Sequence, residues 1–157
     1  AQLMYDEKTR HFHALPETSI MPGIPELMKQ INADGLTIGV VTGSGQRPLI
    51  NRLLKDFGDY LDESHIVTAY DVKHGKPNPD PYLMGLQKAG NLNPWEAFVV
   101  ENAPLGVKAG VSARIFTLAV NTGPLANEVL ESQGANIVFP TMIMLSDKWR
   151  ELMASLS

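Results

Sequence analysis

An α/β fold, with a parallel sheet and helices on both of its faces, is predicted by three features of this 157-residue chain. Short apolar, β-branched runs recur along it. Segments with helical spacing separate those runs. Proline opens several of these segments, and glycine or a polar turn closes them. A strand followed by a helix and then another strand is the pattern of parallel pairing, because a parallel connection must cross the sheet.

The elements follow in order. Residues 4–15 (MYDEKTRHFHAL) have the spacing of a helix with a charged face, ended by Pro16. Residues 16–25 form a Pro- and Gly-rich linker. A helix is predicted over 25–33, closed by Asp34-Gly35. Residues 36–41 (LTIGVV) form a buried strand, broken at Gly43-Ser44-Gly45. A helix follows over 47–57, then a strand over 66–69. The next helix, 80–89, has Pro79 and Pro81 at its start. Strand 97–100 precedes a short helix over 105–111. Strand 115–120 is followed by a helix over 124–133, with Gly134 as its stop. A small strand, 137–139, leads to a last helix capped by Thr141 and running to about Met153. Trp95, Phe98, Phe116 and Phe139 are expected in the core, as are Met142 and Met144.

Composition narrows the function. Hydrophobic residues make up 44% and charged residues 19%, which suits a packed core and not a disordered chain. The net charge of −4 and the lack of a basic block argue against nucleic-acid binding. With no cysteine, disulfides and thiolate metal sites are excluded. No apolar run is long enough to span a bilayer and no signal peptide opens the sequence, so a cytoplasmic protein without membrane contact is expected.

Three segments carry chemistry, and each falls just after a strand or on the loop that follows one. Ligands of open α/β sheets bind beyond the carboxyl ends of the strands. Thr42-Gly43-Ser44-Gly45 offers a hydroxyl, open backbone N–H groups and a helix start, which suit a phosphate. The same residues also suit a plain turn with a helix cap. His74-Gly75-Lys76-Pro77-Asn78-Pro79-Asp80 holds a lysine in a stiff loop, where a fixed ammonium can neutralise phosphate charge. A solvated lysine at a helix start is the plainer reading. Glu101-Asn102 directly follows a strand, and two adjacent oxygen ligands there can hold a hard cation. They also suit a helix N-terminus.

Taken together and in this order, VVTGSG, GKPNPDPYL and VVENAPLGVKAG resemble the second, third and fourth motifs of the haloacid dehalogenase superfamily. The wording of the last two is similar to the β-phosphoglucomutase branch and its phosphatase relatives. The likeness extends over about residues 22–141. It implies a Rossmann-like core and a magnesium-dependent phosphotransferase acting through an aspartyl-phosphate. The substrate would be a small phosphorylated compound, namely a sugar phosphate that is hydrolysed or isomerised, or inorganic pyrophosphate. In this reading Thr42 binds the transferring phosphoryl group, aided by the N–H groups of Gly43 and Ser44. Lys76 pairs with the phosphate and the nucleophile. Glu101 and Asn102 bind or orient Mg²⁺. The family more often has Asp at the position of Asn102, which would bring a charge that the amide lacks.

The resemblance also implies a first motif: a strand ending in Asp-x-Asp, whose first member attacks phosphorus. None of the eight aspartates, Asp6, Asp34, Asp56, Asp59, Asp62, Asp71, Asp80 and Asp147, has a second aspartate two residues on. The first strand in this family lies between those predicted at 36–41 and 97–100. The expectation is therefore a core lacking that strand, over residues 26–157, and a missing N-terminal segment of the same protein that supplies it. Residues 1–15 would end a cap domain, with 16–25 as its hinge. Without the nucleophile, a non-catalytic phosphate-binding module is the alternative.

Overall fold

The computed structural model describes residues 20–157. The helix expected over 4–15, and the first part of the linker, lie outside the described residues. The observed elements are α1 (Ile24–Ala33), β1 (Val40–Val41), α2 (Arg47–Phe57), β2 (Ile66–Val67), α3 (Asp80–Lys88), β3 (Phe98–Glu101), α4 (Pro104–Ser112), β4 (Phe116–Val120), α5 (Asn127–Glu131), β5 (Ile137–Phe139) and α6 (Met142–Leu156). Single 3₁₀ turns at Glu63–His65 and Pro94–Glu96 lead into β2 and β3.

All strand pairing is parallel, and it falls in two pieces. β1 pairs with β2, and β3, β4 and β5 form a second sheet in that order. Among the described residues no ladder joins β1 to β3. The three-stranded piece alternates as a two-sided buried sheet must. Leu118 and Val120 of β4 face Leu27 of α1 and Leu145, Trp149 and Leu152 of α6. Ala119 faces Val107 of α4 and Leu130 of α5 on the other side. The Trp149 ring lies 5.3 Å from that of Phe98, and its Nε1 donates to Asp34 Oδ2 at 2.7 Å.

The small piece is covered likewise. Ile50 of α2 packs with Ile66 and Val40, while α3 lies across Val41 and Val67 at Gly85. Tyr82 and Leu86 of α3 share a cluster with Val99 of β3 and, at its margin, Val41 of β1. α3 thus bridges the two pieces on one face, although their strands do not pair.

Several elements differ from expectation, each for a local reason. The strand foreseen over 36–41 is a ladder only at Val40–Val41, because its partner β2 is two residues long. That partner ends early because Thr68 turns: its N–H and hydroxyl both donate to Asp71 Oδ2. The helix foreseen over 124–133 begins at Asn127, since Asn121 Nδ2 holds the preceding loop through Leu125 O and Asn127 Oδ1. Trp95 is not in the core but 80% exposed on its 3₁₀ turn, and Met144 is also exposed. Thr141 caps α6 as foreseen, its hydroxyl accepting from Met144 N. α1 starts at Ile24 after Gly23, whose φ of 95° and contact with α6 both require glycine: a Cβ there would lie 2.6 Å from Ile143 N. No helix among the described residues is long and apolar enough to cross a membrane.

Candidate active site

The three sequence motifs meet at the carboxyl ends of β1 and β3, across the break in the sheet. β1 ends at Val41, one peptide bond before Thr42. β3 ends at Glu101. Lys76, on the loop before α3, reaches between them. Its ammonium donates to Val41 O at 3.1 Å and forms an ion pair with Glu101 Oε1. It is the side chain that ties the end of one piece of sheet to the end of the other. Hydrogen bonds hold the loop: Asn78 N donates back to Gly75 O, and Asn78 Oδ1 accepts from Asp80 N at the start of α3.

Glu101 is the hub. Its side chain is only 9% exposed, and its two oxygens meet four donors. Oε1 takes the Lys76 ammonium and the Tyr82 hydroxyl, the latter at 2.5 Å. Oε2 takes the N–H groups of Asn102 and Ala103 at 3.1 and 3.4 Å. A carboxylate so buried needs such partners, because desolvation of an unpaired charge costs several kcal/mol. Room for it comes from Gly106 in the first turn of α4, where a Cβ would lie 2.1 to 2.3 Å from the carboxylate atoms.

Thr42 shapes its own loop. Its N–H donates to Val67 O, and its Oγ1 accepts from Ser44 N at 3.1 Å. The threonine hydroxyl therefore keeps its proton free to donate elsewhere. Ser44 Oγ in turn accepts from Gln46 N. Gly43 is exposed, with nothing within 4 Å of where a Cβ would stand. Asn102 is exposed, and its Nδ2 donates to Thr122 Oγ1 at 3.1 Å, joining the loops after β3 and β4. Arg47, the first residue of α2, is exposed and paired with Glu63.

Mg²⁺ takes oxygen ligands in an octahedron, commonly carboxylates completed by water and substrate phosphate. The described residues contain no group of three His, Cys, Asp or Glu side chains able to hold a metal. Glu101 already meets four donors, and Asn102 brings no charge. As they stand, these residues do not by themselves fit a Mg²⁺ ion.

Two further side chains, Tyr82 and Asp71, support the site through contacts between elements that no local pattern marks. Tyr82 belongs to PDPYL, which sets an aromatic in the first turn of α3 after the lysine loop. Its ring lies 5.1 Å from Lys76 Nζ, and burial together with the charge of Glu101 raises its pKa well above the usual tyrosine range. Asp71 has no second aspartate two residues on and serves a structural role. It closes the turn after β2 and accepts from Lys88 Nζ at 3.0 Å, while Lys88 also donates to Ile66 O. A cavity of about 650 Å³ lies between α1 and α6, but none of Thr42, Lys76, Glu101 or Asn102 lines it.

The family model for haloacid dehalogenase-like hydrolases matches residues 2–120, which contain all three motifs. The chain belongs to this family. Hexitol phosphatase A of Escherichia coli is 42% identical over 112 residues, covering 69% of this chain and 50% of that protein. The β-phosphoglucomutase of Bacillus subtilis is 27% identical over 158 residues, covering 96% of this chain and 66% of that one. A solved structure of a Bacteroides vulgatus protein proposed to be a β-phosphoglucomutase superposes with a TM-score of 0.93 at 48% identity. It covers 99% of this chain and 63% of that one. The chain thus spans half to two thirds of the length of these relatives. Their haloacid dehalogenase-like fold agrees with the parallel sheet and two helical layers seen here.

Proposed function

We propose that this chain is the phosphate-binding, charge-neutralising part of a phosphohydrolase acting on a small phosphorylated sugar or sugar alcohol. The observation that carries the reading is Lys76, whose ammonium is held at the ends of β1 and β3 between the loops bearing Thr42 and Glu101. An ammonium fixed there neutralises charge on a transferring phosphoryl group. The Thr42 hydroxyl donates to a phosphoryl oxygen, and Gly43 leaves the backbone open for close approach. Overall, water replaces the alcohol on phosphorus: the ester P–O bond breaks, the alcohol leaves with a proton, and inorganic phosphate is released.

The attacking aspartate that the family resemblance implies is supplied, in this reading, from outside the described residues. A strand set between β1 and β3 would pair with both of their free edges and end beside Lys76. Mg²⁺, which the resemblance also implies, would need ligands from that same source.

Hexitol phosphatase A at 42% identity supports hydrolysis of a polyol or sugar phosphate. The β-phosphoglucomutase relatives support a second reading, transfer to another sugar phosphate. The test is phosphate release by the full natural protein from hexitol phosphates, hexose phosphates and pyrophosphate, beside isomerisation of hexose phosphates. Release from the first two groups, abolished in Lys76→Ala, is expected. Isomerisation without net release would replace hydrolysis by the mutase reading. Phosphate binding with neither reaction would leave a non-catalytic binding module.

A further inference from the structure

Glu101 Oε1 holds two donors at once, the Lys76 ammonium and the Tyr82 hydroxyl. Lys76 has other calls on it. It already shares its protons with Val41 O, and a phosphoryl group bound at the strand ends would attract it further. Each step of the ammonium toward such an anion weakens its hold on Glu101. A buried carboxylate oxygen left bare is strongly unfavourable, so something else must keep it satisfied. The phenol of Tyr82 can do so, because its hydroxyl already donates to that oxygen at 2.5 Å. The ring serves too: Nζ lies 5.1 Å from its centroid, within the range of a cation–π contact.

We propose that Tyr82 is a positioning residue: its hydroxyl holds Glu101 while Lys76 turns from that carboxylate to a bound phosphoryl group, and its ring guides the ammonium between the two. This rests on the reading of the strand ends as a phosphoryl site. It assigns a division of labour that the motifs alone do not. Lys76 moves, Glu101 stays, and Tyr82 makes the exchange affordable.

The experiment uses the full natural protein, with p-nitrophenyl phosphate as substrate and orthovanadate as a mimic of phosphorus in transfer. Tyr82→Phe keeps the ring and removes only the hydroxyl. The melting temperature should stay within a few degrees, KM within twofold, and kcat should fall about tenfold, with orthovanadate affinity falling by the same factor. In a Glu101→Gln background the same change should cost less than threefold, because the oxygen that Tyr82 serves no longer carries charge. A Tyr82→Phe protein whose kcat and orthovanadate affinity both match the wild type overturns the proposal, as does a fully additive double-mutant cycle. A wild type that hydrolyses no phosphate ester, yet loses orthovanadate affinity in Tyr82→Phe, would sink the phosphohydrolase reading and leave the positioning role standing. A wild type that binds no orthovanadate would sink both.

Discussion

The two pieces of sheet are built to different standards. β3, β4 and β5 pair over three or four residues each and are sealed on both faces, with Thr117, Leu118, Ala119 and Val120 fully buried. β1 and β2 pair over two residues, and only Val67 there is fully buried. The larger piece is a packing unit. The smaller depends on side chains: Asp71 and Lys88 close its turn, α3 roofs it, and Lys76 fastens its end to β3. The lesson is that the reactive groups sit where backbone pairing stops. The Lys76 ammonium lies at two strand ends, those of Val41 and Glu101, where ligands of open α/β sheets bind.

The largest effect is expected in the larger piece. Trp149→Ala removes a fully buried ring, its contact with Phe98 and its bond to Asp34. About 3–5 kcal/mol of stability should be lost in urea unfolding. A loss below about 1 kcal/mol would mean that the larger piece is not the stability centre. Lys76→Ala acts at the junction. It should lower kcat for phosphate-ester hydrolysis by about 10²–10³, as removal of one preorganised charge-stabilising donor does elsewhere. An unchanged kcat would dismiss the junction as the site. Gly106→Ala tests the seat of Glu101 and should cost about 1–3 kcal/mol, because the new methyl meets a buried carboxylate. A neutral result would show that Glu101 can stand elsewhere.

The smallest effect belongs to the smaller piece. Asp71→Asn should cost on the order of 1 kcal/mol at neutral pH. The sign follows from the group itself. Burial raises the Asp71 pKa, but the Thr68 N–H, the Lys88 ammonium and the Thr68 hydroxyl outweigh it, so the folded value lies below that of an ordinary aspartate. Its stabilisation is complete above the ordinary value and fades as pH falls through the lower folded pKa. The gap between wild type and variant should therefore be flat from pH 5 upward and close below pH 4. A gap that widens in acid would contradict the assignment.

Much of the fold could be read along the chain, for local reasons. Proline at the first turns of α1, α2, α3 and α4 marks their starts, since a first-turn residue needs no N–H partner. The apolar runs marked strands, and Thr141 marked the cap of α6. Strand length was not legible at β1 and β2, because a strand extends only as far as its partner does. Trp95 misled because aromatic character says what a residue tolerates and not which way its turn faces. Of the site, Thr42, Lys76 and Glu101 stood out by their place after strands, and the fold brings Val41, Lys76 and Glu101 into contact. Tyr82 did not stand out, since its importance is a hydrogen bond to a residue on another element. Along the chain Glu101 reads as a cation ligand; which donors it meets, namely Lys76, Tyr82 and two backbone N–H groups, is set by residues on other elements and by the turn that follows it.

The order of helices and strands, the helix starts and the identity of the charged groups follow from the chain alone, because periodicity, proline geometry and side-chain chemistry are local. Which of those groups touch was decided only by tertiary structure. Contact between Lys76, Tyr82 and Glu101 depends on α3 crossing from one piece of sheet to the other, and on Gly106 leaving room beneath the carboxylate. Those distances come from packing between residues far apart in sequence, and no local pattern encodes them.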